Sequence, residues 1–378
     1  MMTTTDPGAA ATPAPAVVDG PPSGERRAPV VVMTDVARAA GVSQKTVSRV
    51  LNGSAHVRPE VRERVRRAVD ELGYRRNAAA RALVRGRTHV IGVVGLRSAL
   101  YGVSQHVMGL ERAAQASGYG VVVVSTESGE ADEVLRGVER ALELGAEGVV
   151  LVEPYFDTRA LRGPLAGTPV VAAARSAHEG QRTWTVDADQ VGGVEEAVEH
   201  LVALGHRCIG HLAGPTTWRS ALVRERTWRA AVEARGLPVV EPVRGDWSAR
   251  SGYEATRELL AREPAGRVTA LVAANDHMAV GAMRALAEAG LSVPDDVSLV
   301  GFDDVPEAEY LPVPLTTVRQ DLALVGERAV ASLVELVEGQ APAGTGDEPR
   351  LDVVPVELRV RSSTGPAPRA AGGGRPPT

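Results

Sequence analysis

Apolar residues in the stretch 34–72 recur at three- and four-residue spacing, which predicts a block of three helices. Thr34 is placed to cap the first helix, and Ser43 to cap the second, residues 44–51. The third helix is expected to start at Pro59, a favoured residue in the first helical turn, and to end at Gly73. Its apolar residues make one buried stripe, formed by Val61, Val65, Ala68, Val69 and Leu72.

From residue 88 onward, short apolar runs alternate with amphipathic helical stretches. The runs are residues 90–94, 121–124, 148–152, 170–173, 208–212, 270–274 and 297–301. Buried strands that alternate with helices predict an α/β fold with parallel sheets. Because the series is too long for one small sheet, we expect a helical head followed by a body of two α/β lobes.

Composition sets the limits of these domains. Residues 1–30 and 362–378 are rich in Ala, Pro and Gly, so both segments are expected to be disordered. No stretch approaches 18 uncharged apolar residues, so no membrane span is expected. The N-terminal segment lacks the apolar core of a signal peptide, and Cys208 is the only cysteine of the chain. Both observations favour a cytoplasmic protein without disulfides.

Charge is distributed unevenly along the 378 residues. The net charge is −5, yet residues 31–87 contain 13 Lys and Arg against 5 Asp and Glu, a net +8. A small basic module on an acidic body indicates a polyanionic partner for the module alone. On charge alone, a pair of solvated basic helices remains the alternative.

The first two helices, joined at Gly41, match a helix-turn-helix in which residues 44–51 would enter the major groove of double-stranded DNA. Gln44, Lys45 and Arg49 lie on the turns that would face base edges. Glutamine pairs with adenine and arginine with guanine in this geometry. A three-helix bundle that merely exposes these polar side chains is the alternative on spacing alone.

The stretch "TDVARAAGVSQKTVSRVLNGSAHVRPEVRERVRRAVDELGYRRNAAARAL" resembles, without a gap, the DNA-binding head of the lactose-repressor (LacI/GalR) family. The resemblance implies that Gln44, Lys45 and Arg49 read bases. It also implies contacts to the DNA backbone, made or oriented by Thr34, Ser43, Thr46, Ser48, Asn52 and His56.

The same resemblance implies a hinge helix in residues 77–87 that enters the minor groove. Asn77 would begin it, Leu83 would wedge between base steps, and Ala80 would pack beside that leucine. One departure is Arg76, which stands where the family usually has proline before the asparagine. The resemblance thus assigns residues 31–76 to the DNA-binding domain.

The resemblance continues to about residue 361 and implies a two-lobed body like the periplasmic binding proteins. The first lobe would comprise about 88–188 and 320–346, and the second about 189–318 and 351–361. In such sheets a ligand lies at the carboxyl ends of the strands, in the cleft between lobes.

Polar residues follow the predicted strands and would line this cleft. Arg224, Asn275 and Asp303 suit sugar hydroxyls, and the face of Trp247 suits the apolar side of a sugar ring. Taken singly, each has a plainer interpretation as a helix cap, a surface pair or a core residue. The family resemblance favours the sugar site.

Three segments, "SALYGVSQ", "EHLVALGH" and "GDWSA", resemble the founding member more closely than the family at large, which favours a galactoside or other glycoside over a purine. They imply that Leu100 and Ser104 also border the ligand, and Gln320 resembles a cleft residue at a crossing between lobes. Ala174 in place of an aspartate, and Thr227 in place of a glycine, are departures that point to a different substituent or size of inducer.

The resemblance implies a homodimeric repressor, released from a near-palindromic operator by the sugar. No leucine-heptad helix follows residue 361, so a tetramer is not expected. A ligand that strengthens DNA binding, as a corepressor, stays open. The alternative class is a sugar-binding protein without a regulatory role. An enzyme is not expected, because the chain lacks GxxxxGK[ST], HExxH and GxSxG motifs, and no cofactor or metal is implied.

Overall fold

The protein is described by a computed structural model. The described residues are 31–54, 56–75, 82, 86–98, 100–152, 167–174, 184–263, 267–340 and 350–368. The chain divides into two compact units, Met1–Ala80 and Arg81–Thr378, which are described separately below. No helix among the described residues is long and apolar enough to cross a membrane.

The described residues of the first unit form three helices, α1 (Met33–Ala39), α2 (Gln44–Leu51) and α3 (Pro59–Leu72). The Ser43 side chain caps α2 by accepting the Thr46 N–H at 3.2 Å, as the sequence predicts. The apolar faces meet in one small core, which contains Val36, Ala37, Ala40, Val47, Val50, Val65 and Ala68.

The prediction that Thr34 caps the first helix is wrong. Helix α1 begins one residue earlier, at Met33, with Val32 at the cap position. The carboxylate of Asp35 accepts the Val32 N–H at 3.0 Å and so takes over the role of a cap. Thr34 lies inside the first turn with its side chain exposed.

The first lobe of the second unit is built on a six-stranded parallel sheet in the order β11-β5-β4-β3-β1-β2. Its strands are rich in valine, a β-branched residue that suits buried parallel strands. The elements are β1 (Val90–Leu96), α4 (Tyr101–Ala116), β2 (Gly120–Thr126), α5 (Ala131–Glu143), β3 (Val149–Val152), β4 (Val170–Ala173), β5 (Trp184–Ala188), α10 (Leu322–Val337) and β11 (Leu351–Val354).

The second lobe has a six-stranded sheet in the order β12-β10-β9-β8-β6-β7, parallel except for β12. Its elements are α6 (Gln190–Ala203), β6 (Ile209–Ala213), α7 (Arg219–Ala234), β7 (Val243–Arg244), α8 (Ala249–Arg262), β8 (Ala270–Ala273), α9 (Asp276–Glu288), β9 (Ser298–Asp303), β10 (Thr316–Gln320) and β12 (Val356–Arg359). The α/β class and the two parallel sheets agree with the sequence prediction.

The chain passes between the lobes three times, and the last passage corrects one expected boundary. We expected residues 351–361 to lie wholly in the second lobe. Instead, β11 pairs with β5 in the first sheet, and after Pro355 strand β12 pairs with β10 in the second. Two strands separated by one residue therefore form the edge strands of two different sheets. The hydrophobic periodicity of the sequence does not show that the chain changes sheets at this point.

The prediction that residues 362–378 are disordered is wrong for residues 362–368. Ser363 is fully buried, and its Oγ accepts the Thr316 N–H at 2.7 Å and donates to the Leu299 carbonyl at 2.6 Å. The Gly365 carbonyl lies 3.1 Å from a ring nitrogen of His206. Backbone and hydroxyl hydrogen bonds fix this segment to the second lobe, although it carries few large apolar residues.

Replacing Ser363 by alanine is expected to lower the free energy of unfolding by about 1–3 kcal/mol, because it leaves the Thr316 N–H and the Leu299 carbonyl buried with one partner fewer. Urea unfolding followed by circular dichroism measures this change. Ser362→Ala is the matched control, since Ser362 is exposed and adjacent. Equal stability of the two variants would contradict the assigned role of this segment.

Candidate functional site

The outer face of helix α2 carries the three side chains expected to read bases. Gln44, Lys45 and Arg49 are exposed, and within the described residues none forms a side-chain hydrogen bond or ion pair. These side chains can therefore change conformation to contact DNA, Gln44 and Lys45 from the start of the helix and Arg49 from its end. The face therefore combines positive charge with groups that fit base edges.

The residues expected beside the DNA backbone surround this helix. Ser43 and Thr46 share a hydroxyl contact of 2.9 Å at the start of α2. The Asn52 amide donates to Ser48 Oγ at 3.4 Å at its end. Thr34 and His56 are exposed. The expected hinge residues Asn77, Ala80 and Leu83, and the departure at Arg76, lie outside the described residues.

The second unit contains a cavity between its two lobes, at the carboxyl ends of the second lobe's strands. Six of the seven residues expected to bind ligand line it together: Leu100, Arg224, Trp247, Asn275, Asp303 and Gln320. They come from segments more than 200 residues apart in the sequence. The parallel strands gather them, because their carboxyl ends meet at one edge of the sheet.

The seventh residue, Ser104, does not line this cavity. It lies instead in a neighbouring groove of the first lobe, with Met108 on the same helix and Val123 of β2. An α-helix turns about 100° per residue, so Ser104 points to nearly the opposite side of α4 from His106, which lines the cavity. The prediction that Ser104 borders the ligand therefore gains no support from the lining of this cavity.

Three hydrogen bonds and one ion pair join the polar groups of the cleft in a ring. Arg224 Nε donates to Gln190 Oε1 at 2.8 Å, and Gln190 Nε2 donates to Gln320 Oε1 at 2.7 Å. Gln320 Nε2 donates to Asp303 Oδ1 at 2.8 Å, and that oxygen lies 3.8 Å from Arg224 Nη2. The two glutamines stand where the chain passes between the lobes, so they connect two of the three passages.

Gln190 was not identified from the sequence. It follows Asp189, which caps α6 by accepting the Gly192 N–H at 2.9 Å. In the sequence, a glutamine at the first position of a helix looks like an ordinary exposed polar residue. Its position directly after a strand that ends at the cleft was the available signal.

Aromatic side chains hold the guanidinium of Arg224 in a buried position. Its central carbon lies 3.7 Å from the ring centre of Phe302 and 5.7 Å from that of Trp247. Its Nη1 donates to the Ala274 carbonyl. These contacts fix the planar fork of donors, since arginine stacks favourably on aromatic faces.

Trp247 forms an apolar wall of the cavity. Its indole packs edge-on against Trp218, with ring centres 5.8 Å apart, and its own Nε1 has no hydrogen bond within the described residues. Gly214 lies against the indole, and a Cβ there would come within 2.7 Å of the ring. Trp218 was not identified from the sequence, although it follows the carboxyl end of β6 and precedes α7.

Two cleft residues adopt backbone angles that side chains other than glycine rarely take. Trp247 has φ 77° and Asp303 has φ 115°. Such conformations cost about 1–3 kcal/mol each and persist where the surrounding structure fixes them, often at functional sites. They direct the indole and the carboxylate towards the same cavity.

Burial raises the pKa of two carboxyl groups, Asp303 in the cavity wall and Asp276 behind it. Burial raises the pKa of Asp303, while the nearby Arg224 charge and the Gln320 amide oppose that rise. Burial, reinforced by Asp303, raises the pKa of Asp276 well above its usual range. Asp276 Oδ2 accepts the Val305 N–H at 2.8 Å, while its Oδ1 accepts the Thr317 hydroxyl and occupies space that a side chain at Gly301 would fill. Asp276 therefore supports the loop after β9 from behind.

Asn275 combines a structural role with its place at the cavity. Its Oδ1 accepts the Met278 N–H at 2.9 Å and so caps α9. Its Nδ2 donates to the Trp247 carbonyl at 3.1 Å. The plainer interpretation of Asn275 as a helix cap therefore holds together with its position on the cavity wall.

Among the described residues, no group of three potential metal ligands is found.

Comparison with known proteins places both units in one family. Residues 32–77 match the model "Bacterial regulatory proteins, lacI family", and residues 198–364 match the model "Periplasmic binding protein-like domain". The chain is 37% identical over 336 residues to the lactose operon repressor of Escherichia coli K12, which covers 88% of this chain and 91% of that protein.

Solved structures agree. A lac repressor dimer bound to operator and the anti-inducer ONPF matches with a TM-score of 0.80 and 34% identity, over 89% of this chain and 99% of that one. The transcriptional regulator CelR in complex with cellobiose matches with a TM-score of 0.65 and 32% identity, over 88% and 99%.

Proposed function

The chain belongs to the LacI family of bacterial regulatory proteins and is a DNA-binding transcription regulator rather than an enzyme; we propose that a glycoside in the interlobe cavity releases it from a near-palindromic operator. In this proposal the ligand binds between the two lobes, whereas the DNA binds to a separate domain, the helical head. Action on operator DNA also implies a cytoplasmic location.

The observation that carries the ligand class is the hydrogen-bonded set Arg224, Gln190, Gln320 and Asp303 beside the indole of Trp247. The guanidinium of Arg224, the amide of Gln320 and the carboxylate of Asp303 line the cavity and supply donors and acceptors for hydroxyl groups, while Gln190 joins Arg224 to Gln320. An indole face covers the apolar side of a sugar ring. Complexes of relatives with cellobiose and with ONPG support a glycoside as the occupant.

The DNA-binding role is assigned to residues 31–76 and the hinge to 77–87. Gln44, Lys45 and Arg49 would contact base edges, because their exposed side chains share one face of α2. The capping and flanking residues of α2 would contact phosphates, and Leu83 would open the minor groove. A two-fold dimer, as in the operator-bound relative, would read a near-palindrome.

Release follows if the glycoside favours a lobe arrangement that binds the operator less tightly. A ligand shifts such an equilibrium only by its difference in affinity for the two arrangements. Gln320 is suited to this role, because it lines the cavity where the chain passes between the lobes, so a ligand that contacts it acts at the place about which the lobes would rotate.

Fluorescence anisotropy with a labelled palindromic duplex from upstream of the gene tests this function. Galactosides, glucosides and cellobiose are added to the preformed complex. Release by one glycoside supports the proposal. Tighter binding would establish the corepressor logic in its place, and tight binding unaffected by every sugar would overturn the assigned ligand class.

A further inference from the structure

The imidazole of one first-lobe residue, His106, faces the ligand cavity. His106 lies in the second turn of α4, is 5% exposed, and lines the cavity opposite Arg224 and Asp303. Within the described residues, neither Nδ1 nor Nε2 forms a hydrogen bond of ordinary geometry. Buried polar groups without such a partner are uncommon, and each calls for an explanation, of which a water or another bound molecule is one.

The imidazole is held neutral. Burial lowers the pKa of His106 to about 4, and the carbonyl of Gly102, one turn earlier in the helix, acts in the opposite direction without reversing the shift. A neutral imidazole has one N–H donor and one acceptor nitrogen. A hydroxyl group, which both donates and accepts, complements either nitrogen.

The other residues on this side of the cavity offer little polarity. Leu100, Val103 and Leu322 are apolar, and Tyr101 is the remaining side chain there with a polar atom. The guanidinium, amides and carboxylate all belong to the second lobe or to the passages between lobes. A ligand in the cavity would therefore contact several polar groups on the side of the second lobe, and mainly the His106 ring among apolar residues on the side of the first lobe.

We propose that His106 forms a hydrogen bond to a ligand hydroxyl that points to the first lobe, and that it selects ligands carrying that hydroxyl. The inference rests on the proposed function and adds a specificity determinant to its cavity. A ligand without the hydroxyl would leave the imidazole buried and unpaired, so the site would discriminate against it. The bond would also join a ligand held by the second lobe to α4 of the first.

Isothermal titration of the full-length protein with methyl β-D-galactopyranoside, methyl β-D-glucopyranoside, lactose and cellobiose tests this. For whichever glycoside binds the wild type, His106→Leu is expected to weaken binding about tenfold, as loss of one buried hydrogen bond does. His106→Gln retains a donor and an acceptor and is expected to stay within about threefold of the wild type. Gln105→Leu, on the adjacent position of α4 outside the cavity, is the matched control.

Deoxy analogues of the bound glycoside locate the contact. The analogue that lacks the recognised hydroxyl is expected to bind His106→Leu at least as tightly as the wild type, whereas the other analogues keep the tenfold difference. This loss of the difference for one analogue is a readout that a merely structural role of His106 would not produce. Operator binding and thermal unfolding confirm that each variant is folded.

Two results overturn the inference while the proposed function stands: wild-type affinity in His106→Leu, or equal losses in the folded Leu and Gln variants. If His106→Leu fails to fold, the wild type labelled with ¹⁵N-histidine decides. A glycoside must then shift the imidazole nitrogen resonances of His106, and unchanged resonances overturn the inference. If the wild type binds no glycoside, the ligand class of the proposed function fails first and this inference falls with it.

Discussion

The Asp303→Asn variant is expected to bind the operator normally and to need about 10- to 100-fold more glycoside for release. The substitution keeps the shape of the side chain, and asparagine tolerates positive φ values better than most residues, so the φ of 115° at this position is retained. It removes the charge 3.8 Å from the Arg224 guanidinium and replaces one carboxylate oxygen, an acceptor for a sugar hydroxyl, by an amide NH2 group, which only donates. Hydrogen bonds to charged groups contribute roughly 1.5–3 kcal/mol, which corresponds to this range.

Anisotropy of a labelled operator duplex, titrated with the releasing glycoside, measures the effect. Asp295→Asn is the matched control, because Asp295 is an exposed acid of the same lobe away from the cavity. Release of the Asp303→Asn variant at the wild-type concentration would remove this carboxylate from the ligand site. Loss of operator binding together with a lowered melting temperature would show misfolding instead.

The Arg49→Ala variant is expected to lose about 10- to 100-fold in preference for the operator over random duplex DNA. Arginine pairs with guanine through two hydrogen bonds, each such pair contributing about 1–3 kcal/mol of discrimination. Arg49 is exposed on the outer face of α2 and has no ion pair within the described residues, so its removal leaves the head intact. Glycoside binding by the second unit is expected to stay unchanged.

Competition binding at fixed salt concentration gives the preference directly. Arg66→Ala is the matched control, since Arg66 is an exposed arginine of α3 and its loss removes the same charge. That control is expected to weaken operator and random DNA alike. An Arg49→Ala variant that weakened both duplexes equally would show that Arg49 contacts phosphate rather than a base.

Much of the fold could be predicted because local patterns determined it. Ser43 caps α2 as expected, and the alternation of apolar runs with amphipathic stretches yields two parallel sheets. Arg224, Trp247, Asn275 and Asp303 were expected at the cleft because they follow predicted strands and because the family resemblance favoured a ligand site there. Leu100 and Gln320 were expected there from the resemblance alone.

The predictions that the structure does not support have two causes. Some residues are held by partners that are distant in the sequence, and for others the direction of the side chain depends on its angular position around a helix. Strand β11 belongs to the first sheet because of its pairing with β5, which the sequence of β11 does not encode alone. Ser363 is ordered by contacts with residues 47 and 64 positions away. On α4, about 200° of rotation separates Ser104 from His106, so one faces the groove and the other the cavity.

The central claim is that operator and glycoside oppose each other through one protein. Thermodynamic linkage requires that the factor by which the glycoside weakens operator binding equals the factor by which the operator weakens glycoside binding. Titrating the glycoside into the protein, with and without saturating operator duplex, measures the second factor. The account predicts weaker glycoside binding on the operator, by the factor found from release; identical affinity in the presence and absence of the operator would contradict it.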